Sequence, residues 1–453
     1  MIRRLFIILL LFVLYEGFYF LPKKLVEIFP GAFRLADALF IILPLFSIFF
    51  ARNMFRAVSR FREESLLVLG ICGLMFLSPL MAEQFFGQSY TKGLLFVRHN
   101  LGWLAFFPFA IMLRDLDGVE RTIRVLTILA GIYVVILLLT KYFPDMGLIH
   151  YDKRAYSITG SLIRFGEYRL FFPYGSVPIL FYCITMARFL HPPQGGGSLL
   201  RRAFDLAFIL VVAYAILSTF TRALIFSVLI ATAFGLFSSR RRFLKYVAVF
   251  VVFMVVSMQA MVMASSEGGV PFIEDTKLWK MILKTSTLPR EADREEQISM
   301  YLTHFPKSPL TGVGNLVTRK DTEWEIGKLT TYRKYGFYNA TDIGYLKIAA
   351  ENGLLGIAWV IWFLSYFYRR SRQTLSRAVK RGDGSTAEFV ARGHLYFLIY
   401  LSISGLTLPH FVYEDGVIIL ALSLAIMAVT RTSSNEQDVG TPPCNPARSS
   451  GGR

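Results

Sequence analysis

Apolar and polar positions in this chain fall into long alternating blocks. Stretches rich in Leu, Ile, Phe and Val occupy residues 5–21, 35–51, 65–82, 93–113, 122–140, 171–189, 204–220, 222–237, 244–264, 345–367, 394–409 and 416–430. Most run for about 17 to 22 residues, the length at which an α-helix crosses roughly 30 Å of hydrocarbon. The pattern predicts an all-α, polytopic membrane protein of about twelve transmembrane helices, with a large, partly helical loop and with both ends of the chain on one side.

The connections between blocks are of two kinds. Those on one side are dense in arginine: Arg3 and Arg4, then Arg52, Arg56, Arg60 and Arg62, then Arg114, Arg121 and Arg124, then Arg188, Arg201 and Arg202, then the run at 240–242 with Lys245, and finally the basic segment 369–392. The positive-inside rule assigns that side to the cytoplasm. Residues 22–34, 83–92, 141–170, 265–344 and 410–415 are then outward, with a tight outward turn from Thr219 to Arg222. The N-terminal MIRRLFIILLLFVLY is basic then apolar, has no small-residue cleavage site and runs on to LPKK, which predicts an uncleaved signal anchor. HPPQGGGSLL at 191–200 reads as a flexible connector.

The chain therefore divides into a membrane portion at 1–264, an outward loop at 265–344, a second membrane portion at 345–430 and a disordered cytoplasmic tail at 431–453. Within the loop, DREEQISMYLTHF places Ile298, Tyr301, Leu302 and Phe305 at helical spacing, and the helix stops before Pro306. PLTGVG is a turn whose glycines permit backbone shapes that other residues avoid. A second helix starts at Thr341 or Asp342, either of which can cap it, and enters the membrane.

Composition narrows the function. A chain that is 54% hydrophobic is not built as soluble domains, and its net charge of +18 sits largely in short membrane-flanking loops, so no nucleic-acid partner is needed to explain it. Three cysteines, Cys72, Cys183 and Cys444, have no metal-ligand spacing and form no disulfide framework. There is no P-loop, because TGVG lacks the following Lys-Ser or Lys-Thr, no acidic or His cluster that would hold a metal, and no nucleophile elbow. No cofactor is expected.

Charge at the outer membrane boundary marks the candidate site. Arg222 lies in LSTFTRALIF with no room for a loop; it either rims an anion site together with Ser218, Thr219 and Thr221 or snorkels as an anchor. Arg98, beside His99 and Asn100, ends an apolar block and faces the bundle interior, contacting either substrate or a neighbouring helix. The 141–170 loop offers Arg164 and Arg169 among tyrosines, a mixture suited to phosphates and sugar hydroxyls and equally to a solvated face. Arg294 lies in the charged run EADREEQ, which by itself reads as a solvated helix surface. His304 and Asp342 border the glycine turn and the second helix, where either could accept a proton from a hydroxyl; Asp342 could equally be only a cap. Tyr338, four residues before Asp342, is a further candidate for substrate contact.

The order of these pieces resembles a known family. TFTRALIF, a large outward loop carrying an arginine, HFPKSPLTGVG and DIGYLKIAAENGLLGIAWVIWF together resemble the O-antigen ligase and Wzy-type polysaccharide polymerase superfamily, most clearly over residues 205–368. The resemblance implies glycan transfer from undecaprenyl pyrophosphate at the periplasmic face of the bacterial inner membrane, without nucleotide sugar or divalent metal. It matches Arg222 and Arg294 to the family's catalytic arginines and Glu351 to an acidic position that supports the second helix. Ligases carry a His-Asn pair where this chain has Ala340, Thr341 and Asp342, and that departure favours the polymerase branch. It also implies lipid-linked glycan donor and acceptor, membrane lipids and a Wzz-like chain-length regulator as partners. The alternatives are a ligase transferring glycan to lipid A-core, or a lipid-glycan flippase or other secondary transporter, which would place its polar groups near the midplane.

Overall fold

A computed structural model describes residues 2–21, 27–29, 33–143, 163–164, 167–168, 170, 172, 175–192, 198–219, 221–239, 305–315, 344–381 and 386–440. Its elements are α1 (Ile2–Leu14), α2 (Leu39–Phe49), α3 (Ala51–Arg60), α4 (Arg62–Phe86), α5 (Tyr90–Val97), a 3₁₀ stretch over Arg98–Ala105, and α6 (Phe106–Leu113). These are followed by α7 (Leu116–Tyr142), α8 (Ser176–Leu190), α9 (Leu199–Ser218), α10 (Arg222–Ser238), α11 (Gly344–Arg381), α12 (Thr386–Ser404) and α13 (Glu414–Gly440). Two short antiparallel ribbons pair Glu27 with Arg34 and Arg164 with Glu167. Every predicted block except 244–264, which lies outside the described residues, holds a helix.

The helices are apolar on more than one face, as a bundle in lipid requires. On α7, Val119, Ile123, Leu126, Ala130, Val134 and Leu137 are buried while Ile128, Ile132, Val135 and Leu139 are exposed. Both sets repeat at helical spacing, so one faces the bundle and the other its lipid. Helices α8 and α13 run through the middle, with nearly every described side chain buried. By length and composition, Arg62–Phe86, Tyr90–Leu113, Leu116–Tyr142, Gly344–Lys380 and Gly416–Ser433 can each cross a membrane.

Four segments differ from the sequence expectation, one being the tail expected to be disordered from residue 431, where α13 continues to Gly440. The first helix ends at Leu14 rather than running to residue 21, because Glu16, Gly17 and Phe18 all take positive φ. The block at 93–113 is interrupted by the 3₁₀ stretch, where Gly102 lies against Val417 and Ile418 too closely to admit a larger residue without displacing them. The basic segment after residue 368 continues α11 to Arg381 instead of opening into a loop, since Ser371, Thr374 and Ala378 bury one side of it.

Contacts fix which ends of the helices lie together. Tyr345 N–H donates to Gly405 C=O at 2.8 Å, so α11 begins beside the end of α12. Helices α8 and α12 are antiparallel, with the Arg188 guanidinium over Phe389 and Gly393 against Ile184. One end of the bundle therefore gathers the arginine-rich termini, and several buried carboxylates there are paired with them. Glu120 accepts from Arg124 at 3.0 Å, Arg201 at 3.4 Å and Thr386 Oγ1 at 2.7 Å, tying α7, α9 and α12. Glu64, fully buried, accepts from the Tyr366 hydroxyl and lies 2.9 Å from Arg431 Nη2. Arg188 Nε donates to Asp205 Oδ2 at 2.9 Å and its Nη2 to Oδ1, with both side chains buried.

Removing one partner of that last pair strands a buried charge, which costs about 3–5 kcal/mol. Asp205→Ala should lower the melting temperature of the detergent-solubilised protein sharply, and the Arg188→Met/Asp205→Leu double variant should regain most of the loss. A double variant no more stable than Asp205→Ala would show that the cost does not come from the unpaired arginine.

Candidate functional site

The opposite end of the bundle holds the sequence motifs, and they interlock. Helix α11 breaks at Gly353, whose φ of 60° and ψ of −152° are not helical. An unbroken helix would pair Leu354 N–H with Ala350 C=O and Leu355 N–H with Glu351 C=O. Instead, Leu354 and Leu355 donate to the carbonyls of Pro309 and Leu310, at 2.8 and 3.1 Å. The released carbonyls of Ala350 and Glu351 accept from Val313 and Gly314, at 2.9 and 3.2 Å. The turn at 308–315 thus replaces two helical hydrogen bonds with four of its own.

The local sequence explains why this turn can enter a helix. Pro309 supplies only a carbonyl, which is all its position requires. Gly312 and Gly314 take φ of 71° and 85°, and a Cβ on Gly312 would fall 2.5 Å from Asn352 N. A Cβ on Gly314 would fall 2.2 Å from the Ser78 carbonyl oxygen of α4, and one on Gly353 would fall 2.5 Å from Leu310 O. The turn is clamped from the α4 side as well: Gln88 Nε2 donates to Asn315 O at 3.0 Å and Thr311 Oγ1 lies 3.1 Å from Met81 Sδ. Gly353 is nine residues into α11 and Ser78 is eight from the end of α4, so at ~1.5 Å per residue the turn reaches roughly 12 Å below the helix ends.

Beside this wedge a second junction joins the 3₁₀ stretch to the α12–α13 loop. Trp103 Nε1 donates to Phe411 O at 3.2 Å, and His99 Nε2 lies 3.2 Å from Val412 O. Arg98 Nε is 2.8 Å from Asp37 Oδ1, the carboxylate being almost fully buried. His410 is buried with its Nε2 2.8 Å from Ser404 Oγ and its ring against Tyr400. Burial disfavours the imidazolium and pushes its pKa down to about 4.

The candidate residues are distributed as follows. Arg98 is paired with Asp37. Arg222 is the first residue of α10, directly after the tight turn; the backbone is described and the side chain is not. In that turn Thr219 Oγ1 donates to Ile216 O at 2.7 Å and Leu170 N–H donates to Ser218 O at 2.9 Å, which brings the close of the 141–170 loop against the Arg222 turn. Arg164 pairs by its backbone with Glu167 in a ribbon, and its side chain is outside the described residues. Arg169, Arg294, His304, Tyr338 and Asp342 also lie outside the described residues.

Sequence reasoning did not single out Lys347, Asn315 or His410. Lys347 and Glu351 are both buried, with Nζ 3.7 Å from Oε1, one turn above the break. Among the described residues, the buried side-chain oxygens of Asn315 and Asn100 have no hydrogen-bond partner. The Lys–Glu pair at i, i+4 and the Asn directly after the glycine turn were legible signals; His410, isolated in a short loop, had none. Among the described residues no three His, Cys, Asp or Glu side chains come together as metal ligands would.

The fold and this site define a polytopic all-α membrane protein whose spans are notched by a polar turn from the large loop. Residues 206–361, about a third of the 453 residues, match the family model Wzy_C, described as O-antigen ligase. The match runs from α9 through the Arg222 turn and the wedge to the middle of α11, and it is consistent with the O-antigen ligase and Wzy superfamily. That family implies glycan transfer of the ligase or polymerase type. No curated protein matches the chain.

Two measurements test this geometry. Gly353→Ala and Gly314→Ala should each cost several kcal/mol, because both need positive φ and have no room for a methyl group. Gly73→Ala on α4, whose Cβ would meet nothing within 4 Å, should be neutral or stabilise by up to about 1 kcal/mol. Thermal unfolding of the three variants separates wedge from helix, and equal melting temperatures would contradict the interlock. Separately, His410 binds a proton more weakly folded than unfolded. Its contribution is complete above pH 6.5 and shrinks as pH falls toward 4, by up to about 3 kcal/mol. Melting temperatures measured from pH 7.5 to 5 should fall less steeply in His410→Gln than in the parent.

Proposed function

We propose that this protein polymerises undecaprenyl-pyrophosphate-linked oligosaccharide repeats into O-antigen, capsule or exopolysaccharide, by metal-independent, inverting glycosyl transfer at the periplasmic face of the inner membrane. The observation that supports this most is the family match over 206–361, within which the PLTGVG turn and the GYLKIAAENGLLG helix form one interlocked unit. The polymerase reading over the ligase rests on the sequence at the head of α11, where Ala340, Thr341 and Asp342 stand in place of the ligase His-Asn pair.

In this reading the anomeric carbon of the donor glycan exchanges its bond to the pyrophosphate oxygen for one to an acceptor sugar hydroxyl. The hydroxyl proton passes to a base, Asp342 or His304, and the electron pair leaves with the lipid pyrophosphate. Arg222 and Arg294 stabilise the charge that gathers on the leaving pyrophosphate, where fixed cations act most strongly because water is scarce. Arg164, Arg169 and Tyr338 orient sugar and phosphate. Arg98, tied to Asp37, steadies the 3₁₀ stretch. The growing chain is the donor and one lipid-linked repeat the acceptor, with a Wzz-like regulator setting chain length. Both chain termini lie in the cytoplasm, which fits the collection of arginines at one end of the bundle.

Purified protein incubated with a defined lipid-linked repeat should yield products that grow by whole repeats in mass. Arg222→Ala should reduce that yield by at least 100-fold with unchanged membrane insertion, whereas Arg222→Lys should retain a measurable fraction. Normal polymer from Arg222→Ala would remove the arginine from the chemistry. Transfer of a single glycan to lipid A-core, with no growth by repeats, would instead establish the ligase reading.

A further inference from the structure

A proline interrupts α4 where the wedge meets it. Pro79 lies inside the helix and has no N–H, so it gives no hydrogen bond to the Met75 carbonyl one turn below. Met75, Ser78 and Ala82 follow at i, i+3 and i+7, which is one face of the helix, and all three are buried. That face is turned toward the incoming loop: a Cβ on Gly314 would fall 2.2 Å from Ser78 O and 2.3 Å from Ala82 N.

Two side chains at this meeting place carry unused hydrogen-bonding capacity. A buried hydroxyl on a helix can turn back to the carbonyl four residues earlier, as Thr127 does to Ile123 and Ser404 to Tyr400, each at 2.7 Å. Ser78 does not. The residue is 3% exposed, and among the described residues its Oγ has no partner. Asn315, directly after Gly314, is 5% exposed, and among the described residues its Oδ1 has none either.

The surroundings hold these groups in place. Gln88 Nε2 donates to the Asn315 carbonyl at 3.0 Å. The same amide is folded down onto α4, since a Cβ on Gly93 would meet both Gln88 Nε2 and Pro79 Cβ at 2.8 Å. The proline notch, the Asn315 amide and the Ser78 hydroxyl therefore gather between α4, the start of α5 and the turn at 308–315.

The donor and acceptor types select the ligand. A carbonyl oxygen and an amide oxygen only accept, whereas a hydroxyl can also donate. Water matches that set: its two hydrogens serve Met75 O and Asn315 Oδ1, and its oxygen accepts from Ser78 Oγ. About three bonds is the usual number for an internal water, and water is one of the groups that complete a membrane helix opened by proline. A metal cation would draw on all three oxygens and leave the Ser78 proton without an acceptor, which favours water.

We propose that the Pro79 notch is an internal water site, in which water bonded to Met75 O, Asn315 Oδ1 and Ser78 Oγ ties α4 to the turn at 308–315. It does on the α4 side what the four backbone bonds do on the α11 side. The site is independent of the glycan chemistry.

The full chain in lipid nanodiscs would be given short X-ray pulses, which generate hydroxyl radicals wherever water is held, and side-chain oxidation would be counted by mass spectrometry. Met75, Met186 and Met427 are exposed by only 5%, 4% and 0%, so bulk solvent hardly reaches any of them. Met75 should be oxidised several-fold faster than the other two. The excess should fall toward the Met186 rate in Ser78→Ala, and also in Pro79→Ala, where the added N–H takes over the Met75 carbonyl. Equal rates in the parent, a comparison that needs no variant to fold, would overturn the proposal. So would an excess at Met75 that neither substitution lowers. Loss of the excess when sodium or potassium replaces choline as the only cation would assign the site to a metal ion and would overturn the proposal as well.

Discussion

Four backbone hydrogen bonds between residues 309–314 and 350–355 are the constraint on which the rest of this bundle end depends. In hydrocarbon an unpaired peptide group costs several kcal/mol, so a helix inside the membrane can break only where something else completes its hydrogen bonding. Here the completion comes from a loop far away in sequence, whose turn supplies two acceptors and two donors in the register that the break exposes. The glycines of both partners allow the two backbones to approach this closely. A break this deep is held by protein on both sides, since α4 closes over Gly314 from the other flank.

The two ends of the bundle solve the problem of charge differently. At the arginine-rich end, carboxylates at Glu64, Glu120 and Asp205 are buried or half-buried and each is paired with an arginine from another helix, so these charges hold the spans in register. At the motif end the junctions are made mostly by main-chain carbonyls, with Trp103, His99 and Tyr345 donating to them or lying beside them. Apart from Arg98 with Asp37 and Lys347 with Glu351, the described part of that end spends few ionic groups on its own structure.

Much of this was legible in the sequence because membrane helices obey a one-dimensional rule. Apolar length marks each span, arginine density sorts its two ends, and the blocks read at 65–82, 122–140 and 416–430 are helices in the structure. The motifs PLTGVG and GYLKIAAENGLLG were also visible as separate pieces, as was the tight turn before Arg222. Glycine and proline announced a turn in the first, while the second read as an uninterrupted helix.

What the linear pattern determined was the all-α membrane class, the alternation of spans and the places where charge meets the membrane boundary, because each depends on residues close together in the chain. Only the tertiary structure decided that Gly353 opens α11, that the turn at 308–315 fills the opening and that Asp37 holds Arg98. Those features depend on which carbonyl or carboxylate lies within about 3 Å of a given donor across hundreds of residues, and hydropathy carries no record of such a partner.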